Sequence, residues 1–182
     1  MKNNLPSSQE EWTFFEAVAR AAFANPFGET RDDLDRSIGG MSPDSSDSEI
    51  IQAAVDRVAG RVEEMAKRGE ADLRRYEGSR RELMRRVFLF HVFHRYADRF
   101  DELIQVQLKN GDKPCRVDFS DKALGELQAF GIAKTDSLRY LAVFYQLRRA
   151  YYFIRSGLVG NSPSMRALRK HLWGCVFTHD MS

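Results

Sequence analysis

The sequence predicts an all-α protein, an irregular bundle of six or seven helices around one long central helix. Along most of the chain, apolar residues recur every three or four positions, which is the spacing of one helix face. Serine, proline and glycine residues punctuate these segments where helices begin and end. Hydrophobic residues make up 43% of the 182 residues, which is enough for a core and excludes a chain disordered throughout.

The first part of the chain predicts three helices. Ser7 and Ser8 precede Glu10 and Glu11 at capping-box spacing and predict a first helix that runs to about residue 24, because Pro26 and Gly28 prevent its continuation. A short helix over 30–38 and a flexible loop over 39–46 follow. A second capping box, Ser46 with Glu49, opens a long helix whose apolar residues form one seam. This seam is a candidate interface with a helix of the same chain or of a second copy: Ile51, Val55, Val58, Val62 and Met65.

The central helix is expected over about 80–109, since apolar residues cover much of its circumference. Helical propensity also resumes after Gly69. The segment 113–119 is the only plausible extended piece, and it is too short to form a sheet. Ser120 is expected to cap a helix that ends at about residue 130, and Thr135 or Asp136 to start another that reaches about residue 156. Ser162 followed by Pro163 opens a last helix that reaches about residue 177.

The charge is divided unevenly along the chain. Residues 1–72 hold 8 basic and 15 acidic side chains, whereas residues 73–182 hold 20 and 11. No acidic residue lies between Ser137 and His179. This asymmetry is compatible with a nucleic-acid surface, with packing of an acidic half on a basic half, or with an acidic partner. Nucleic-acid binding is disfavoured because the basic residues alternate with aromatic ones and form no tract: Arg139, Arg148, Arg149, Arg155, Arg166, Arg169 and Lys170.

Several features predict a cytoplasmic protein. No apolar run approaches the ~18 residues of a membrane span, and residues 1–12 lack the apolar stretch of a secretory signal. Cys115 and Cys175 stand alone, without CxxC or Cys/His spacing. A disulfide framework and a structural zinc site are therefore not expected, and a reducing compartment is.

Four polar residues of the central helix are the candidate metal ligands. His91 and His94 are three positions apart, and Asp98 and Glu102 follow at intervals of four. This spacing can place nitrogen and oxygen donors on one helix face. The segment lacks HExxH, however, and no second helix offers a matching ExxH. A solvated face is the favoured interpretation, and a free-standing helical metal- or ligand-binding protein is the alternative hypothesis.

No catalytic constellation is recognisable in the sequence. His171 lies four residues before Cys175, but nothing supplies the third group of a nucleophilic site. Phosphate-binding GxxxxGK[ST] and GxGxxG loops, the GxSxG elbow and zinc motifs do not occur. The aromatic residues of the two most buried helices fill the core or line a ligand pocket. We therefore expect that this chain is not an enzyme and binds no cofactor.

The segment 158–168, Leu-Val-Gly-Asn-Ser-Pro-Ser-Met-Arg-Ala-Leu, carries a resemblance to a known family. It resembles the opening segment of the AAA+ domain of bacterial sigma-54-dependent transcriptional activators, which has the form L-[IV]-G-x-S-x-x-M-x-x-[LV]. The residues at and within this pattern are Gly160, Ser162, Pro163, Met165 and Leu168. Residues 172–180 also look like the stretch that precedes the Walker A loop in some members, so that the resemblance covers about the last 25 residues.

The resemblance implies that residues 1–157 are the helical regulatory or sensor domain of such an activator and that 158–182 are a linker and the start of the AAA+ module. The Walker A loop, the Walker B carboxylate, the GAFTGA loop and the helix-turn-helix of the family are missing here. ATP and magnesium are accordingly expected only in the missing module, as is contact with sigma-54 RNA polymerase. The expected partners are the AAA+ domain, a second copy of the chain in a dimer or higher assembly, and an unknown small ligand or regulator protein.

Overall fold

The computed structural model describes residues 8–42, 44–111 and 113–177. These residues form eight α-helices and a short 3₁₀ helix, Leu73–Arg75, and no β-strand occurs among them, which confirms the all-α class. The predicted number of helices, six or seven, is slightly too low. The helices are α1 Gln9–Ala21, α2 Glu29–Gly39, α3 Asp47–Lys67, α4 Gly78–Arg95, α5 Ala97–Asn110, α6 Ser120–Ala129, α7 Lys134–Gly157 and α8 Pro163–Phe177.

The predicted helix starts are set by local hydrogen bonds. The Ser8 hydroxyl accepts from the amide of Glu11 at 3.2 Å. In α3, the Ser46 hydroxyl accepts from the amide of Glu49, and the Glu49 carboxylate accepts from the amide of Ser46. Each contact satisfies an amide that the first helical turn leaves unpaired. The caps at Ser8 and Ser46 are confirmed. The predicted cap at Ser120 is wrong, because Ser120 is the first residue of α6 and the cap position, Phe119, makes no side-chain cap hydrogen bond. Residues 1–7, which include Ser7 and in which no secretory signal was expected, lie outside the described residues.

The predicted central helix is wrong as one element, because α4 ends and α5 begins at Tyr96. The φ and ψ angles of Tyr96 are −106° and 7°. Its ring stacks on Phe119 at 5.8 Å between centroids, and its hydroxyl donates to Glu126 at 3.1 Å. Backbone hydrogen bonds of helical spacing continue on both sides of the break, from Tyr96 to Val92 and from Phe100 to Tyr96. The two helices therefore follow each other closely, and the three-to-four-residue spacing of apolar residues continues from α4 into α5.

The core lies around α4, which packs against α1, α3, α5 and α6. The seam of α3 belongs to this core: Val58, Val62 and Met65 are buried by the chain itself. A second copy cannot reach these three residues, so the candidate intermolecular interface is wrong for them. Ile51 and Val55 stay half-buried. The seam therefore serves an intramolecular contact.

Two predicted segments are less regular than a helix or a strand. After Gly69 the chain forms only the 3₁₀ helix, which is joined to the end of α6 by a hydrogen bond from the Leu73 amide to the Phe130 carbonyl at 2.9 Å. The described residues of 113–119 form no strand. These segments are fixed by contacts with other elements rather than by repeating backbone hydrogen bonds.

The last helix, α8, is peripheral and follows the end of α7 at Gly157, where the domain boundary was predicted. The Ser162 hydroxyl accepts from the amide of Met165 at 3.3 Å, as expected for a cap followed by Pro163. No residue of α8 is fully buried. Within the described ranges, none of the helices has both the length and the apolar content needed to cross a bilayer.

Candidate functional site

The predicted metal ligands on α4 turn to different helices. Nε2 of His91 lies 3.5 Å from Oε1 of Glu126 on α6. Nε2 of His94 lies 3.4 Å from Nη2 of Arg31 on α2. The two imidazoles therefore have separate partners, one anionic and one cationic.

The other two predicted ligands lie on α5, beyond the break at Tyr96. Asp98 and Glu102 are exposed, and Glu102 forms an ion pair with Arg99 at 2.9 Å. In the part of the chain that the structure describes, no three His, Cys, Asp or Glu side chains are grouped so that they could hold a metal ion. The structure does not bring the four predicted ligands together, because the stripe crosses two helices.

Glu126 is the centre of a polar cluster between α4 and α6. It accepts a hydrogen bond from the Tyr96 hydroxyl and lies 3.5 Å from both His91 and Arg95. Burial by itself raises the pKa of Glu126, but the hydrogen bond with His91, the charge of Arg95 and the Tyr96 hydroxyl hold this pKa below its usual value. Glu126 is therefore a carboxylate that fixes α6 to α4.

A second polar cluster joins α2 to α4. Nε of Arg31 donates to both carboxylate oxygens of Asp35, at 2.8 and 2.7 Å, and Nη1 donates to the Ala21 carbonyl at 3.1 Å. Burial raises the pKa of Asp35 although Arg31 opposes the change. The ring of His94 is enclosed by Phe90 and Phe93, at 4.3 and 5.1 Å between centroids.

The environment of His94 keeps its imidazole neutral. Burial and the nearby charges of Arg31, Arg148 and His91 together hold its pKa well below the usual value. A neutral ring can accept a hydrogen bond from the Arg31 guanidinium, whereas an imidazolium could not. His94 therefore belongs to a structural hydrogen-bond network that joins α4 to α2.

A pocket of about 290 Å³ lies between α5 and α7 and is bordered by the α5–α6 connection. Its wall combines apolar side chains with polar atoms, and two cations, Lys113 and Arg149, stand at it. We call it the α5–α7 pocket; it is lined by Ile104, Gln107, Leu108, Gly111, Lys113, Pro114, Cys115, Tyr145, Arg149 and Phe153. Its volume is at the lower end of the range for small-molecule sites.

Sequence reasoning missed this pocket as a site. Lys113 lies in the segment that the sequence predicts as extended, and Arg149 belongs to the basic stretch and to an arginine pair for which a solvated helix face was favoured over phosphate binding. The two residues are 36 positions apart, and no local pattern links them. Only the interpretation that aromatic residues line a ligand pocket pointed here, through Tyr145 and Phe153 of α7.

The start of α8 is fastened to the body of the molecule by three side chains. Nη1 of Arg169 donates to the carbonyls of Leu158 and Gly160, at 2.7 and 2.9 Å. Nδ2 of Asn25, in the α1–α2 loop, donates to the Lys170 carbonyl at 2.8 Å. In the same loop, Phe27 stacks on Tyr151 of α7 and meets Trp173 of α8 edge to face, at 5.2 and 6.1 Å between centroids.

The residues of the family resemblance lie in and before α8. Gly160 has a φ of +121°, a conformation that favours glycine. Met165 is half-buried, and its side chain lies near Gly160. Leu168, Leu172 and Val176 form an exposed apolar stripe on the outer side of the helix. The part of the resemblance at 178–180 lies outside the described residues.

The sequence-predicted thiol and imidazole of α8 are in contact but stand on the surface. Sγ of Cys175 lies 3.5 Å from Nε2 of His171, and both residues are exposed. Cys115 is half-buried, and both thiols are free. The contact follows from the four-residue spacing on one helix.

These features define an all-α bundle with a pocket of small-molecule size and a peripheral C-terminal helix held by the α1–α2 loop. Comparison with models of protein families, with curated proteins and with solved structures finds no match for this chain.

Proposed function

We propose that residues 1–157 are the non-catalytic regulatory domain of a cytoplasmic sigma-54-dependent transcriptional activator and that 158–182 lead into its AAA+ module. The resemblance at Gly160, Ser162, Met165 and Leu168 suggests the family. The observation that carries the proposal is the attachment of α8 by the α1–α2 loop. Through this loop, the packing of the first two helices sets the position of the helix from which the ATPase would continue.

The contacts of Phe27 explain how a signal would travel. Its ring lies between Tyr151 of α7 and Trp173 of α8 and is carried by the loop that joins α1 to α2. A ligand or partner that favours a second arrangement of α1 and α2 would displace this ring and change how α8 is held. Regulation of this kind needs only two packings that differ in their affinity for the effector.

The exposed surface of α7 and α8 is basic and apolar, which suits binding of an acidic partner. Helices α1 and α3 of the acidic half do pack on α4 of the basic half, but few ion pairs join the two halves among the described residues. Their acidic side chains up to Asp72 form ion pairs only with basic residues up to Arg74. Of the ten large apolar side chains exposed in the described residues, seven lie between 138 and 176. We propose that the AAA+ module of the same chain covers this basic and apolar surface.

The experiment begins with the reading frame of the native gene after Ser182. We expect a GxxxxGK[ST] loop shortly downstream and, in the complete protein, ATP hydrolysis that changes when residues 1–157 are deleted. Phe27→Ala should shift the hydrolysis rate in the same direction as the deletion. Phe23→Ala, which removes an exposed ring that Arg86 covers, is the matched control and should leave the rate unchanged.

A downstream sequence without the phosphate-binding loop would overturn the proposal. So would a complete protein whose ATP hydrolysis and oligomeric state are the same with and without residues 1–157.

A further inference from the structure

The α5–α7 pocket combines apolar side chains with two cations that have no acidic partner among the described residues. We propose that it binds a small monocarboxylate with an apolar body, such as a medium-chain fatty acid or an arylalkanoate. The inference depends on the pocket alone and goes beyond the proposed function, since such binding would occur whether or not an ATPase module follows.

The apolar side chains in the wall favour a ligand with a hydrocarbon body. Ile104 and Leu108 of α5, Pro114 of the α5–α6 connection and Phe153 of α7 contribute to it. Leu108 and Phe153 are 56% and 42% exposed despite their size. A bound alkyl or aryl group would cover these side chains and remove apolar surface from water, which is the main source of affinity in small pockets.

The charges of the pocket favour an anion. Lys113 and Arg149 line it, and neither forms an ion pair with any residue that the structure describes. Among the described residues that line the pocket there is no Asp or Glu. A guanidinium can donate two parallel hydrogen bonds to one carboxylate, and an ammonium group adds a point charge. The two cations line the same pocket as the apolar side chains of Leu108 and Phe153, so we infer that the anionic group and the hydrocarbon body belong to one molecule.

Tyr145 and Gln107 supply an oriented polar contact. The Tyr145 hydroxyl donates to Oε1 of Gln107 at 2.7 Å, which fixes the amide group. Nε2 of Gln107 makes no hydrogen bond to the described residues and is free to donate to a ligand oxygen. One carboxylate can accept from this amide and from Arg149 or Lys113. A small pocket of about 290 Å³ with few donors suits one negative charge better than a dianion.

Cys115 gives a reporter at the pocket. Its thiol is half-buried and is one of the lining groups, whereas Cys175 lies on α8. In the 182-residue chain with Cys175→Ser, we would measure the rate at which N-ethylmaleimide modifies Cys115. Octanoate should slow this rate in a saturable way, and 1-octanol, which has the same hydrocarbon body without the charge, should bind about tenfold more weakly.

Substitutions of the two cations test whether they bind the carboxylate of the ligand. Arg149→Gln and Lys113→Gln should each weaken octanoate binding, measured by calorimetry, by about tenfold, the value of one charge-assisted hydrogen bond. Arg139→Gln, on the same helix but outside the pocket, is the matched control and should bind like the parent chain. Phe153→Ala should weaken the binding of octanoate and octanol alike.

The proposal is overturned if octanoate does not protect Cys115, if octanol protects it equally, or if Arg139→Gln weakens binding as much as Arg149→Gln. None of these outcomes depends on ATP hydrolysis. Failure here is therefore distinguishable from failure of the proposed function.

Discussion

The Arg31 guanidinium is largely buried and is held by Asp35 and the Ala21 carbonyl. Its ion pair with Asp35 leaves 11% of the arginine side chain and 3% of the aspartate side chain exposed. Arg31→Met should destabilise the protein by about 3–5 kcal/mol, because it leaves the Asp35 carboxylate buried without a counter-charge. The free energy of unfolding in urea measures the effect.

Two further variants test this explanation. Arg31→Met combined with Asp35→Leu removes both charges and should be more stable than the single variant. Glu102→Gln breaks an exposed ion pair with Arg99 and should change the stability by about 0.5 kcal/mol or less. A double variant no more stable than Arg31→Met would contradict the role of the unpaired charge.

His94 should make stability depend on pH. Its pKa in the folded protein is held well below 6.5 by burial and by Arg31, Arg148 and His91, whereas in the unfolded chain it takes the usual value. The unfolded state therefore binds the additional proton, so the contribution of His94 is fully present above pH 6.5 and is lost as the pH falls below it. The limiting loss is about 1.4 kcal/mol per pH unit.

The variant His94→Gln isolates this contribution. Between pH 7.5 and pH 5, its free energy of unfolding should fall less steeply than that of the parent chain. His171→Gln, on the exposed surface of α8, should keep the parent slope. Equal slopes for His94→Gln and the parent chain would show that the ring is not held neutral by the fold.

At the scale of helices and turns, Gly131 fixes the junction between α6 and the 3₁₀ helix. Its φ is +82°, and a Cβ atom there would lie 2.6 Å from Oδ1 of Asp72. This oxygen caps the 3₁₀ helix by accepting from the Arg74 amide. Gly131→Ala should therefore cost about 1–2 kcal/mol from the backbone conformation alone, and more from displacement of Asp72.

Gly125 provides the matched comparison within α6. It is exposed in the interior of the helix, and nothing lies within 4 Å of an added Cβ. Gly125→Ala should stabilise the protein by about 0.5–1 kcal/mol, since alanine loses less backbone entropy in a helix. Thermal unfolding of both variants checks the pair; two changes of the same sign would contradict the assignment.

Local signals predicted much of the helical structure. The caps at Ser8, Ser46 and Ser162 depend on contacts within three residues, and the structure confirms each of them. The end of α4 depends on distant contacts of Tyr96 with Phe119 and Glu126, which no pattern in residues 80–109 contains. The apolar stripe continued across this point, so one helix was predicted instead of two.

At the scale of the whole molecule, neither the fate of the predicted metal site nor the α5–α7 pocket could be predicted from sequence spacing, because both depend on contacts between distant segments. The metal hypothesis assumed that one stripe of a helix is one site, but tertiary packing turns His91 and His94 to different elements. The α5–α7 pocket arises in the opposite way, because packing brings Lys113 and Arg149 to one cavity. Spacing predicts which residues share a helix face, whereas a site also needs the neighbour that covers this face.

The attachment of α8 is a property of the whole fold, since the α1–α2 loop fastens the last helix to the first two. No residue of α8 is buried, so few contacts oppose its release. Phe27→Ala removes the ring that meets both Tyr151 and Trp173, at about 1 kcal/mol for each aromatic contact. Hydrogen exchange of residues 163–177 should become at least about fivefold faster, while exchange in α4 stays unchanged.

The matched variant is Phe23→Ala, whose ring is 43% exposed and is covered by Arg86 of α4 rather than by α8. It should leave the exchange of residues 163–177 at the parent rate. If Phe27→Ala accelerates exchange equally in α4 and α8, the ring stabilises the fold as a whole and does not hold α8 in particular. If only α8 responds, the last helix opens on its own. A helix that opens separately from the core can carry a change from the bundle to whatever follows it.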